Sequence, residues 1–196
     1  MSAVPTRVGD AVNVPDAAQR ARARRRWLSI GLSFLVLCFL AAHLGALRGS
    51  LLADDFFLIR SMCTATGEPD LVVALRQFGQ PIPGVEAPLP ADLDPKFWRP
   101  VWRLSFFVDR TLWGTWAPGY FGTNLLVHGT AALLLLGLLL RMGLPAVTAC
   151  GAATLFAVHP SHHEAVWWPA SRGDLLATAF GLGAAFVVAG GPGERG

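Results

Sequence analysis

The residues best able to do chemistry in this 196-residue chain fall in two short stretches. Asp54 and Asp55 stand side by side in LLADDFFLIR, residues 51–60. The second stretch, AVHPSHHEAVWWPASRGDLL at 157–176, holds His159, His162, His163, Glu164, Arg172 and Asp174. A carboxylate pair with His and Glu nearby can serve as a general base or hold a divalent cation. An arginine beside them can grip a phosphate through its planar fork. Plainer roles compete for the same residues. The two aspartates could cap the end of one helix or open the next, and Asp174 could be an N-cap. His159 could close the apolar run before it, and Trp167 and Trp168 suit a headgroup layer as interfacial anchors.

What must position these groups is apolar. The chain is 53% hydrophobic and 15% charged, whereas soluble domains carry about 25% charged residues. The net charge of +3 is modest, and its basic excess is local: Arg20, Arg22, Arg24, Arg25 and Arg26 crowd one segment. That pattern gives no extended basic face, so a nucleic-acid partner is excluded. Cys38, Cys63 and Cys150 share no metal-ligand spacing and read as three unpaired small hydrophobes.

Residues 1–26 are polar, contain Pro and Arg, and lack apolar periodicity, which predicts a mobile tail. Residues 27–47 are 21 consecutive uncharged residues. As a helix they would cover about 30 Å, the hydrocarbon thickness of a bilayer. The run is longer than the core of a cleaved signal peptide, which favours a retained anchor. Further spans are predicted at 119–141, at 144–158 (short for a crossing) and at 175–190, with a tail at 191–196. RMGLP at 141–145 is a tight turn in which Gly143 and Pro145 break the helix. The arginine cluster keeps the N-terminus cytoplasmic. Four crossings then place 48–118 and 159–174 on one outer side. The expectation is an all-α, polytopic membrane helical bundle, multi-pass in a bacterial inner membrane or an equivalent cell membrane. Within the spans the ionisable residues are His43 and His128, and His128 reads as a helix–helix hydrogen bond.

The first outer loop divides into three parts. PDLVVALRQFG at 69–79 predicts a short amphipathic helix, and QPIPGVEAPLPADLDP at 80–95 is proline-rich and irregular. KFWRPVWRLSFFVDRTLW at 96–113 repeats Phe97, Val101, Leu104, Val108 and Leu112 at helical spacing. With Trp98, Trp102 and Trp113 this predicts a helix lying in the membrane interface; a packed re-entrant element is the other reading.

In order along the chain stand LLADDF, FWRPVWRLSFFVDRTLWG, PGYFGTNLLVHGTAALLLLGLLLRMG and LFAVHPSHHEAVWWPASRGDLL. Together these segments, about residues 51–178, closely resemble the N-terminal half of multi-span C-type (GT-C fold) glycosyltransferases similar to protein O-mannosyltransferases. The resemblance is strongest to the group with tetratricopeptide repeats after the membrane region. It implies a partial GT-C fold and an inverting transfer of a sugar from a polyprenyl-phosphate-linked donor to an acceptor hydroxyl of a protein or glycan on the non-cytoplasmic side. It implies that Asp54 or Asp55 is the general base, with Asp55 slightly preferred. It places His159 or His162 with Glu164 at the donor phosphate or at a divalent metal shared with Asp55, and Arg172 on phosphate. Arg99 and Asn124 match the pattern in structural or donor-orienting roles, and Asp174 in support. The relatives have more spans, and no 34-residue repeat is present here. A longer reading frame or a second subunit would complete the donor site. The competing expectation is a non-catalytic membrane assembly partner or a truncated remnant.

Overall fold

The computed structural model of the chain describes residues 16–76 and 99–190. Among them the elements are eight α-helices joined by short 3-10 turns, with one isolated β-bridge, Cys63 to Pro69, and no strand.

The first helix, α1 (Ala17–His43), starts ten residues before the apolar run. Asp16 accepts the amide of Gln19 and the Gln19 side chain accepts the amide of Asp16, a complete capping box. Alanine and arginine are strong helix formers, so the arginine-rich segment continues the helix into the apolar stretch. The expected mobile tail is therefore helical from Ala17 onward, while residues 1–15 lie outside the described residues. A 3-10 turn, Leu44–Arg48, ends this element.

Helices α5 (Ala117–Arg141), α6 (Ala146–Val158) and α8 (Arg172–Val188) complete the apolar bundle. Among the described residues, three segments are long and apolar enough to cross a membrane: Ala17–Arg48, Ala117–Arg141 and Pro169–Val188. The fourth expected crossing, α6, has 13 residues. At 1.5 Å per residue it is about 20 Å long, well short of the hydrocarbon thickness. Helix α6 packs between α1 and α5, and α8 packs on the α5 side. Small residues make these approaches close: Ala149, Cys150, Ala153 and Ala157 of α6 are buried, and Gly31 of α1 sits against Cys150. Leu35 and Leu136 close this core.

The turn between α5 and α6 is a Schellman motif. The Leu144 amide reaches the Leu139 carbonyl and the Gly143 amide reaches the Leu140 carbonyl. Gly143 adopts φ 85°, which L side chains resist. The predicted break at RMGLP is thus in place. The three cysteines are free.

At the other end of α5 lies a rim built from α2 (Ala53–Ser61), α3 (Leu71–Arg76), α4 (Pro100–Trp113) and α7 (His163–Trp167). Asp70 caps α3 through the amides of Val72 and Val73. Residues 77–98, with the predicted irregular segment, Phe97 and Trp98, lie outside the described residues. Helix α4 holds an inverted pattern. Its apolar residues Val101, Val108 and Leu112 are 47%, 45% and 65% exposed, while Arg103 and Asp109 are 4% and 1% exposed. The apolar stripe of the expected interfacial helix points outward, and the charges point into the protein. This suits a helix whose outer surface meets lipid, where apolar side chains need no cover and charges must be paired inside.

Candidate functional site

The two chemically interesting stretches meet at this rim. Asp55, at the third position of α2, reaches back with Oδ2 to accept the Leu52 amide at 2.8 Å. Its Oδ1 accepts the amide of Ala170 at 2.8 Å, in the 3-10 turn Pro169–Ser171. The indole N–H of Trp102 donates to the Ala170 carbonyl at 3.0 Å, so α4 grips the same peptide. Leu58, Ile59, Phe106 and Tyr120 pack beneath this junction.

The aspartate pair is therefore split by the phase of a helix. Asp55 is fully buried, and Asp54 is exposed. Burial raises the Asp55 carboxyl above its ordinary 3.8, with the Leu52 and Ala170 amides opposing and Asp54 adding to the rise. With each oxygen accepting an amide and no exposed surface, Asp55 joins two loops. The resemblance slightly prefers Asp55 as base; in the fold the exposed carboxylate of the pair is Asp54.

Arg172 also departs from its expected role. It opens α8 three residues before the predicted span and is fully buried. Its Nε–H donates to Asn124 Oδ1 at 2.6 Å, one Nη to the Ser105 hydroxyl at 3.2 Å, and the other to the Tyr120 carbonyl at 3.0 Å. That last nitrogen also forms an ion pair with Asp109 at 2.5 Å, and the guanidinium lies 4.6 Å from the Phe106 ring centre. Asp109 is held in turn by the Thr123 hydroxyl at 2.7 Å. Nearly all the donor capacity of Arg172 is spent inside the protein. It cannot take a phosphate without breaking this network.

Asn124 turns its amide toward the carbonyls of Ala165, Val166 and Trp168, at 3.2–3.3 Å, and so holds the loop that α7 belongs to. Of the two roles expected for it, this is the structural one. Asp174 is exposed in the first turn of α8. The N-cap is Ser171, so the N-cap reading of Asp174 is corrected by three residues.

Glu164, His163 and His159 are exposed. His159 Nδ1 accepts the Ser161 amide at 3.2 Å and caps the 3-10 turn Pro160–His162. His162 is half-buried against the Phe156 ring at 4.7 Å and the His128 ring at 5.3 Å. Burial, with His159 and His43 nearby, pushes its pKa down. Behind it, His43 and His128 both direct Nε2 at the Ala157 carbonyl, at 2.8 and 3.0 Å. The carbonyl accepts both, so each ring carries its proton on Nε2. The expected helix–helix bond of His128 is present, with His43 as a second donor from α1.

A divalent cation shared by Asp55 and Glu164 does not fit these residues. Asp55 has both oxygens occupied and Glu164 is exposed. No group of three His, Cys, Asp or Glu side chains converges on a metal position among the described residues. Arg99 is exposed at the start of α4 and lines a groove of about 460 Å³ with Trp102, Asp174, Leu176 and Phe180.

Sequence reading overlooked Asp109, Ser105 and Tyr120. The available signal was two charges, Arg103 and Asp109, off the apolar stripe of α4, since a lipid-facing helix must hide its charges.

These features define an all-α, multi-pass membrane helical bundle whose polar network sits at one rim. Two curated proteins of Drosophila melanogaster are similar to it. Protein O-mannosyl-transferase Tmtc1 is 42% identical over 81 residues, which is 40% of this chain, and Protein O-mannosyl-transferase Tmtc2 is 41% identical over 83 residues, which is 41% of it. The matched stretch covers 9% of each relative, so this chain corresponds to a small part of either. No family model matches the chain, and no solved structure matches it.

Proposed function

We propose that this chain is a membrane glycosyltransferase, or the rim-forming part of one, that moves a sugar from a polyprenyl-phosphate-linked donor to an acceptor hydroxyl on the non-cytoplasmic side. The Arg20–Arg26 cluster favours a cytoplasmic N-terminus. The partial similarity to the two O-mannosyl-transferases supports the reaction class. The observation that carries the site is the Asp55–Ala170 bond, which ties the helix bearing the exposed Asp54 to the end of the stretch that also bears His159, His163 and Glu164.

In this reading Asp54 takes the proton of the acceptor hydroxyl. The hydroxyl oxygen bonds to the anomeric carbon from the face opposite the phosphate. The carbon–oxygen bond to phosphate breaks, its electron pair leaves with the polyprenyl phosphate, and the anomeric configuration inverts. His159, whose Nδ1 is engaged, has Nε2 left to meet the departing phosphate. Asp55, Arg172 and Asn124 position the loops and touch no reactant.

Transfer of labelled mannose from polyprenyl-phosphate-mannose should be followed with the full chain in proteoliposomes. Asp54→Asn is expected to lower transfer by about 10²–10⁴-fold, the range for loss of a general base, with thermal stability unchanged. Equal transfer by the variant overturns the assignment. A second reading, a non-catalytic assembly partner, is favoured by one observation: Asp55, Asn124 and Arg172 are all buried and internally bonded. It is supported if the wild-type chain binds a membrane partner but transfers no sugar.

A further inference from the structure

The end of the bundle remote from the rim carries a second feature. Between α1 and the α5–α6 turn lies a groove of about 510 Å³. It is lined by Arg24 and Trp27 on one side and by Leu140, Leu144, Pro145 and Val147 on the other. One charged group therefore stands over an otherwise apolar trough.

The surroundings are strongly one-signed. Arg20, Arg22, Arg24, Arg25 and Arg26 fall within seven consecutive positions, and all lie on the capped helix α1. Asp16 is the sole acid between residues 16 and 53. The turn at 141–146, the rest of α6 and the end of α8 from 175 to 190 contribute none. Arg141 adds a further cation at this end, folded over Phe186 with its guanidinium 3.9 Å from the ring centre. Such an end attracts anions, and a guanidinium matches a phosphate in shape as well as charge. Trp27, 52% exposed, stands at the junction of the arginine segment and the apolar run, where an indole meets the headgroup layer.

We propose that this groove binds an anionic phospholipid, its phosphate paired with Arg24 and the upper part of its acyl chain lying along Leu140, Leu144 and Val147. The ligand class follows from charge complementarity joined to an apolar trough in one cavity: a free phosphate would use only the first, and a neutral lipid only the second. The site is independent of the proposed sugar transfer, being separated from the rim by most of the length of α5.

The full chain in neutral detergent should be titrated with phosphatidylglycerol and with phosphatidylcholine, and retained lipid read by native mass spectrometry. Phosphatidylglycerol is expected to be retained in preference, and to raise the melting temperature. Arg24→Gln should weaken its retention about fivefold, as expected for one basic residue at a lipid surface. Val147→Trp, at an exposed position that tolerates bulk, should fill the trough and weaken it as well. Equal retention of the two lipids overturns the proposal. So does loss with Arg24→Gln but full retention in Val147→Trp, because the lipid would then rest on the arginine surface and not in the groove.

Discussion

The carboxylate of Asp55 and the backbone amide of Ala170 are bonded at 2.8 Å although 115 positions separate them. That single tie brings the start of α2 to the turn before α8. Asp55 and Asp54, adjacent in sequence, should therefore respond differently to substitution.

Asp55→Ala leaves the Leu52 and Ala170 amides without their acceptor. The expected total loss is about 1–3 kcal/mol, since both bonds are only partly buried. Asp54→Ala, at an exposed position, should stay within about 0.5 kcal/mol of wild type. Thermal unfolding of the detergent-solubilised chain checks both, and equal effects of the two would contradict the division of roles.

Acidification should stabilise the rim. The Asp55 carboxyl is held above its ordinary 3.8, chiefly by burial. The folded state then binds the proton more tightly than the unfolded state. Stability is greatest below the ordinary carboxylate value and declines as pH rises through the higher folded-state value. Melting curves from pH 4 upward should show this decline, and Asp55→Asn, which cannot ionise, should flatten it at lower overall stability.

The Arg172–Asp109 pair should behave as a coupled buried unit. Removing either partner strands a charge, so Arg172→Ala and Asp109→Ala should each cost about 3–5 kcal/mol. The double variant should cost much less than their sum. Arg172→Lys should not rescue, since a point charge cannot also hold Asn124, Ser105 and Tyr120 as the fork does. A double-mutant cycle measures the coupling, and additive losses would show that the pair is not a unit.

Two glycines should fail for different reasons. Gly143→Ala meets no neighbour within 4 Å, so its cost, about 1 kcal/mol, comes from the left-handed backbone at φ 85° alone. Gly31→Val drives its side chain into Cys150, whose sulfur lies 2.5 Å from the position of an added Cβ. It should push α1 from α6 and cost about 1–3 kcal/mol as overpacking. Adding Cys150→Ala should recover part of the second loss and none of the first.

Much of this architecture follows from local rules. The long apolar runs, the break at RMGLP, the free cysteines and the bond of His128 are legible because run length, turn chemistry and the cost of a polar group among apolar neighbours act within a few residues. The meeting of the two polar loops on one side follows from counting reversals of the chain. The start of α1 was missed because apolar periodicity is silent in a segment whose helix is set by a cap and by propensity.

What tertiary structure alone decided is which charges face inward. A one-residue step along a helix turns the side chain by about 100°, so Asp54 and Asp55, alike in type and place, part company only once Ala170 arrives. Arg172 presents a phosphate-binding side chain in the sequence and becomes an internal hub because Asp109, Asn124 and Ser105 come from three other positions along the chain. The apolar stripe of α4 reads the same whether it faces a core or a lipid. Its direction is marked by the buried Asp109, whose partners Arg172 and Thr123 lie on α8 and α5.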